Sequence, residues 1–327
     1  MYKTRLMKRM ERALHMALPR GAGAFVSGRK GGYGMTDSDK RRKVRDLEVV
    51  VANVIPETPD TVTMILFTGN DALDYRPGHF LTIDPHQFPS LDRFTRYLED
   101  LKGRKEPPRA YSLASSPDEK QLAITIKAEE YTSGVTQYPP LLSPLLVRRV
   151  TPGSRMVVSG FTGPYTLPED IAERTDHMVH VCAGSGVVPN FSMIKYALRN
   201  HPGVRHTLVL SNRTWDDVIY KREWDYLQQM HPDRLRVFHA LTREEDTSRF
   251  NDRVRSGRIS ADLLDEVLKS PDGCEFFLCG PGITRFDKTR AAEAGEEPAP
   301  RFMETALSLI DRMGVPKSRV HRETYGS

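Results

Sequence analysis

Within eight residues, Arg109-Ala110-Tyr111-Ser112-Leu113-Ala114-Ser115-Ser116, the chain places a cation, an aromatic ring and several hydroxyls. An Arg can hold a diphosphate through charge-assisted hydrogen bonds. A Tyr can cover a flat ring, and a Ser can donate a hydrogen bond to a ring nitrogen. Together these are the needs of a bound flavin. The plainer alternative is an edge strand with a solvated Arg. The stretch follows Pro107-Pro108 and precedes a cleanly alternating run, Leu122 to Lys127. Alternation puts Arg109, Tyr111 and Leu113 on one face and Ala110, Ser112 and Ala114 on the other.

Two later stretches carry complementary chemistry. The apolar run Val179-His180-Val181-Cys182-Ala183 ends in Gly184-Ser185-Gly186-Val187-Val188-Pro189, and Phe191, Ile194, Ala197 and Leu198 then recur at helical spacing. Strand, Gly-rich turn and helix bring a diphosphate against helix N-terminal amides. Cys274 to Gly282 reads as a buried strand ending in Cys279-Gly280-Pro281, a sharp turn at a strand's carboxyl end. In open α/β sheets ligands bind at such ends.

In this order and at these separations, the three stretches resemble the ferredoxin–NADP reductase superfamily, with its R-x-Y-S, A-G-x-G-[IV]-x-P and C-G-P motifs. The resemblance covers about residues 45 to 327. It looks most like the reductase components of bacterial oxygenases, including the phenylacetyl-CoA epoxidase reductase type. Asp74 to Ile83 matches the family's Y-x-P-G-Q-F, with His79 where Gln is usual, and Gly160 to Tyr165 is similar to G-P-x-G-x-F. The tail Val320 to Ser327 resembles a terminal E-x-[FY].

The resemblance implies hydride transfer from NADPH or NADH to FAD, or to FMN in its place. Single electrons would then pass to a ferredoxin or an oxygenase component. Arg109 would neutralise the flavin diphosphate beside Ala110, Tyr111 would pack on the ring, and Ser112 would hydrogen-bond the reactive nitrogen. Ile126 and Lys127 would complete the site with a hydroxyl. Thr136 has the right local sequence for that hydroxyl, and Ser143 has the spacing, which favours it narrowly. Gly184, Ser185, Gly186, Val187 and Pro189 would hold the nicotinamide nucleotide together with Cys279, Gly280 and Pro281. Asn212 and Arg213 would face the adenosine ribose. Arg213 favours NADPH, although NADH enzymes of this family can carry an Arg there too. Cys279 would lie beside the hydride-donating carbon. Glu323 would relay protons or settle the neighbouring Ser and Cys, and Tyr325 would cover the flavin. No metal site is expected.

Composition sets bounds. At 327 residues there is room for two domains. No apolar run approaches the ~18 residues that span a bilayer. The start lacks the apolar core of a secretory signal. Three cysteines argue for a reducing, cytoplasmic setting and cannot supply the four thiolates of a plant-type iron–sulfur cluster, so no fused ferredoxin domain is expected. The net charge of +5 is uneven. Residues 1–45 hold 13 Lys/Arg against 3 Asp/Glu, and the remainder holds 35 against 40.

The chain therefore divides into a basic extension (1–44), an antiparallel FAD-binding β-barrel domain (45–170) and a doubly wound, parallel-sheet α/β domain that binds NAD(P) (171–327). The extension contains one amphipathic pattern (Leu6, Met10, Ala13, Leu14, Ala17) and a Gly-rich tract. It reads as a disordered arm, or as sequence before a true start at Met35. A second reading gives it weak membrane-surface contact. Lys40 to Lys43 suggests nucleic acid only in isolation, and no binding motif accompanies it. Strands are expected at 178–183, 206–211, 235–240 and 275–279, and helices at 190–200, 217–230, 260–269 and 300–313. A short helix is expected within the inserted residues 86–106, and 284–300 reads as a charged, mobile insertion. Two other functions compete: a flavin, ferric or small-acceptor reductase, and a non-catalytic nucleotide-binding redox sensor. Intact Ser112, Cys279 and Glu323 argue for catalysis.

Overall fold

Alternating apolar residues after Asp46 build a long antiparallel pair, β1 (Leu47–Thr58) and β2 (Thr61–Phe67). Leu47, Val49 and Val51 turn inward and Glu48 outward. Our computed structural model describes residues 46–69 and 73–325, all within one compact unit that runs from Val44 to Ser327. The expectations for residues 1–44 and for the last two residues lie outside the described residues.

Four further strands complete the first sheet: β3 (Phe80–Ile83), β4 (Arg109–Ser112), β5 (Leu122–Lys127) and β6 (Arg155–Thr162). All pairings are antiparallel, in the order β4-β3-β6-β1-β2-β5. The two ends meet where Leu113 bridges Ile124. That contact closes the sheet into a barrel and removes its free edge. Leu81, Ile83, Leu113, Ile124 and Ile126 are fully buried inside it. Each contributes roughly 1.5–3 kcal/mol by burial.

The inserted residues between β3 and β4 form the expected helix, α1 (Asp92–Lys102). Gly103, at φ 61°, ends it in the left-handed conformation that glycine tolerates. Leu98 plugs the barrel, whereas Tyr97 and Leu101 remain 57% and 53% exposed. After β5 a helix missed by the sequence reading, α2 (Ser143–Arg149), covers the barrel with Leu142 and Leu146. Pro144 stands in its first turn, where a missing N–H costs nothing.

The second sheet is wholly parallel: β7 (His177–Ala183), β8 (Arg205–Asn212), β9 (Leu235–Leu241), β10 (Val254–Ser256), β11 (Glu275–Pro281) and β12 (Val320–Tyr325). Its order is β10-β9-β8-β7-β11-β12. Between and around the strands run α3 (Ile171–Arg174), α4 (Val187–Asn200), α5 (Lys221–Met230), α6 (Ala261–Val267), α7 (Arg285–Ala294) and α8 (Phe302–Arg312). This is the expected doubly wound sheet.

Two local expectations need correction. The helix predicted from 217 starts at Lys221, because Trp215–Asp217 forms a 3-10 turn and Tyr220 sits at φ 63°. Residues 284–300 are not a structureless insertion. Thr284 and Asp287 cap α7 reciprocally, Gly295 closes it at φ 68°, and Arg301 pairs with Asp287 at 2.8 Å. Capping and ion pairing organise this helix, since none of its residues is buried. The tail that resembles a terminal E-x-[FY] is ordered through Tyr325. It is β12, hydrogen-bonded alongside β11.

Candidate active site

The strand order reverses between β7 and β11, which is where an open α/β sheet leaves a crevice at its strand ends. β7 runs into the turn Gly184–Gly186 and then directly into α4. A Cβ on Gly186 would stand 2.2 Å from the Cys279 carbonyl oxygen. Glycine is therefore required for the turn to lie against β11. The glycine turn sits at the positive end of the fourteen-residue helix α4, the end whose dipole favours a diphosphate. Pro189 lies in that turn, where its missing N–H leaves no bond unmade.

Strand register sets the chemistry at the other wall. Cys279 lies opposite both Cys182 of β7 and Glu323 of β12, and Pro281 lies opposite Tyr325. The Cys279 thiol is 3.9 Å from Glu323 Oε2, within reach as a weak donor. Burial pushes the Glu323 carboxyl up to about 7. Burial, with Glu323 adding to it, also holds the Cys279 thiol well above its usual range, so the sulfur is neutral. The Tyr325 hydroxyl donates to Ala183 O at 2.5 Å and accepts from the Gly186 N–H at 3.1 Å. In this arrangement the ring lies across the glycine turn.

One residue missed by the sequence reading holds that turn from behind. Asn190, fully buried, donates from Nδ2 to Gly186 O at 3.1 Å. Its Oδ1 accepts from the Tyr165 hydroxyl at 3.1 Å and from His180 Nδ1 at 2.7 Å. Since Oδ1 can only accept, His180 carries its proton on Nδ1. The signal was an Asn placed on the apolar side of a helix, directly after Pro189.

The Arg109 strand reaches the same crevice from the barrel. Ser112 pairs with Phe80 at the end of β4, and two residues later Ala114 packs with Cys182, Val187 and Val188. Ser192 of α4 donates to Ser115 O at 2.7 Å. Arg199 reaches Ser116 Oγ and the Asp118 carboxylate, and Lys195 bonds Glu119 at 2.7 Å. The strand that carries Ser112 is thus fastened to the helix that follows the glycine turn. Tyr111 packs on the barrel core, while Ala110 on the opposite face is exposed.

The remaining expected residues are spread around the barrel rim. Arg109 is bonded to Glu106 and, at 2.7 Å, to Pro107 O. The Ile126 side chain belongs to the barrel core, and Lys127 is paired with Asp60 at 2.8 Å. Thr136 is half-buried, with its hydroxyl tied to Thr132 of its own turn. Ser143 is buried at the start of α2 and bonded to Glu129 N at 3.1 Å, just past β5. On the outer part of the second sheet, Asn212 ends β8 and Arg213 follows it, exposed. Arg243, just past the end of β9 and also exposed, donates its backbone N–H to Arg213 O at 2.7 Å.

Known proteins show the same two-part arrangement. A family model described as the oxidoreductase NAD-binding domain matches residues 180–287. The ferredoxin reductase component of 3-ketosteroid-9-alpha-monooxygenase from Rhodococcus rhodochrous is 28% identical over 300 residues, 90% of this chain and 69% of its own length. NADH-cytochrome b5 reductase 2 from Botryotinia fuckeliana is 25% identical over 72% of this chain, which spans 64% of that protein. Among solved structures, the flavohem-like FAD/NAD binding domain of nitric oxide dioxygenase from Vibrio cholerae superposes with a TM-score of 0.63 at 21% identity, over 86% of this chain and 100% of that one. In motif order, in both sheets and in the crevice at the strand ends, the chain is similar to the ferredoxin–NADP reductase superfamily.

Proposed function

We propose that the chain is an FAD-dependent NAD(P)H oxidoreductase that passes electrons one at a time to a separate redox protein, either a ferredoxin or an oxygenase component. The observation that carries this reading is the convergence of Cys279, Glu323 and the Gly184–Gly186 turn at one strand-order reversal, with the Arg109–Ser112 strand fastened to α4 beside them. The naming of a relative as a monooxygenase's reductase component supports the choice of acceptor.

The residues present fit both cofactors. Arg109 uses two of its five N–H groups on Glu106 and Pro107, which leaves others for a diphosphate. Ser143 places a hydroxyl at the barrel rim, and the dipole at the N-terminal end of α4 would favour a second diphosphate. A flavin bound on the barrel would supply two-electron acceptance from a nicotinamide and one-electron release.

The chain's own groups bind, orient and manage protons. Arg109 neutralises phosphate charge, Tyr111 covers the ring and Ser112 offers its hydroxyl to the ring edge. The Cys279 thiol, neutral and small, packs beside the incoming nicotinamide without adding charge to a dry site. Glu323 holds a proton near neutral pH next to that thiol. Tyr325 must give up Ala183 O and the Gly186 amide for the ring of the coenzyme to enter. Arg213 and Arg243 together favour the ribose phosphate of NADPH.

The test is the absorbance spectrum and mass of the bound cofactor, followed by stopped-flow reduction with NADH and NADPH. A yellow protein carrying FAD that is reduced within the mixing experiment and reoxidised faster by a one-electron protein acceptor than by free flavin fits the proposal. A colourless protein that binds nucleotide without turnover would make it a sensor instead.

A further inference from the structure

The insertion between β3 and β4 delivers one carboxylate to the Arg109 strand. Its course is tied at several points: Glu99 Oε1 accepts from the Glu106 N–H at 2.8 Å and also meets His86 Nε2 at 2.8 Å. Glu106 is thereby held beneath β4, only 2% exposed. Its Oε1 receives Lys102 Nζ at 2.6 Å, and its Oε2 receives the Arg109 guanidinium. The other guanidinium bond, to Pro107 O, fixes the plane of the group.

We propose that Glu106 is a positioning residue for the flavin diphosphate: it grips one edge of the Arg109 guanidinium so that the remaining N–H groups face the cofactor. The proposal rests on the flavin reading given above.

The alternative, in which Glu106 competes with the diphosphate and releases Arg109 when the cofactor arrives, is disfavoured by burial. Release would leave an enclosed carboxylate with half of its countercharge gone, and breaking one partner of a buried pair is costly. Both carboxylate oxygens are already committed, one to each cation, and the main chain at Glu106 is itself held. The pairing therefore persists when ligand binds, and the Arg side chain loses less freedom on binding than an unrestrained one would.

Glu106→Gln separates these roles. An amide has a single oxygen and cannot accept from Lys102 and Arg109 together, so one cation meets an N–H group instead. The full chain, stripped of flavin, is titrated with FAD and separately with riboflavin, which has no phosphate. E106Q is expected to weaken FAD binding about tenfold, equivalent to about 1.4 kcal/mol, and to change riboflavin binding less than about twofold, the margin expected of a contact it does not touch. In an R109A background the same substitution should add almost nothing, because Glu106 acts through Arg109. Unchanged or tighter FAD binding in E106Q overturns the proposal. So does an equal loss for riboflavin, or a full additional loss in R109A. Should E106Q not fold, Glu106→Asp, which keeps both oxygens but withdraws them from β4, is read by the same criteria. A different result, full FAD binding by R109A alone, would overturn the flavin reading itself.

Discussion

Arg109 on the barrel and Cys279 on the parallel sheet are held by different means. On the barrel, full charges are matched against each other: Arg109 and Lys102 share Glu106, and Lys127 is paired with Asp60. Buried Glu275 of the parallel sheet is likewise matched by Arg174 at 3.2 Å, but around Cys279 the contacts join uncharged groups: Cys279 beside Glu323, and His180 against Asn190. Strand register rather than charge decides who meets whom there. Matched charges keep their state across the physiological range but fail when a partner is lost. Buried neutral groups tolerate little change in shape, and desolvation has shifted their titration, Glu323 toward neutrality and His180 away from it.

The most direct way to break this contrast is Gly186→Ala. A Cβ there would meet the Cys279 carbonyl at 2.2 Å, so the turn must move away from β11. Misplacement by an ångström costs about a hundredfold in rate. Flavin reduction by NAD(P)H, followed by stopped flow, should fall by that order while FAD stays bound. Loss of FAD as well would mean that the two sheets do not hold their ligands independently.

Cys279→Ala should slow flavin reduction by roughly tenfold and leave coenzyme affinity little changed, the pattern of an interaction made mainly in the transition state. Tyr325→Ser should act in the opposite sense. With the ring no longer lying on the Gly186 amide, oxidised coenzyme should bind more tightly and perturb the flavin spectrum. If affinity and spectrum in Tyr325→Ser match those of the parent protein, the tail does not compete with nicotinamide.

Stability against pH sharpens the comparison further. His180 titrates at about 4 when folded because burial disfavours its cation. Its folded pKa is depressed, so the unfolded chain takes up the proton first, and stability falls as pH drops from about 6.5 toward 4. Glu323 has the opposite sign. Burial raises it to about 7, so the unfolded chain loses the proton first and stability falls as pH rises from about 4.5 to 7. The two effects oppose each other between about pH 4.5 and 6.5, and melting temperatures of the full chain follow their difference there. Glu323→Gln removes the opposing contribution, so stability should fall more steeply with decreasing pH between about pH 7 and 4.5 than in the parent protein. No difference in slope between the two proteins would remove Glu323 from the buried, titrating set.

A smaller effect is expected at Arg213. Arg213→Ala should raise the KM for NADPH by roughly fivefold and leave NADH nearly untouched, as for loss of one exposed charge-assisted contact. Equal losses for both coenzymes would remove Arg213 from specificity.

Much of this was legible before any coordinates. Period-2 runs such as Leu47–Val51 and 3.6-period runs such as Phe191–Leu198 report which side of an element is apolar, and each element appeared within a few residues of its expected place. The glycine turn after β7 and the Cys-Gly-Pro turn after β11 were readable because glycine and proline restrict backbone geometry locally. What the periodicities did not reveal was hydrogen bonding that crosses the chain. α7 buries no side chain, so its sequence carries no apolar stripe, and its capping pair Thr284–Asp287 went unread. α2 was hidden by the Pro139-Pro140 and Pro144 punctuation around it. Asn190 and Glu106 looked like ordinary polar residues, since their importance lies in partners that other segments supply.

By itself the sequence determined the two-sheet architecture, the order of the motifs and the residue types brought to each strand end, because those follow from local pattern and chain order. Only the tertiary structure decided which face meets which. β5 alternates as if one side faced water, yet Ala123 is buried against the second sheet's cluster and Thr125 bonds the Tyr220 hydroxyl at 2.5 Å. Likewise, β11 and β12 are separated by 38 residues, and nothing in their spacing pairs Cys279 with Glu323. Parallel register is set by packing of the intervening helices on the sheet, and that is a property of the folded chain.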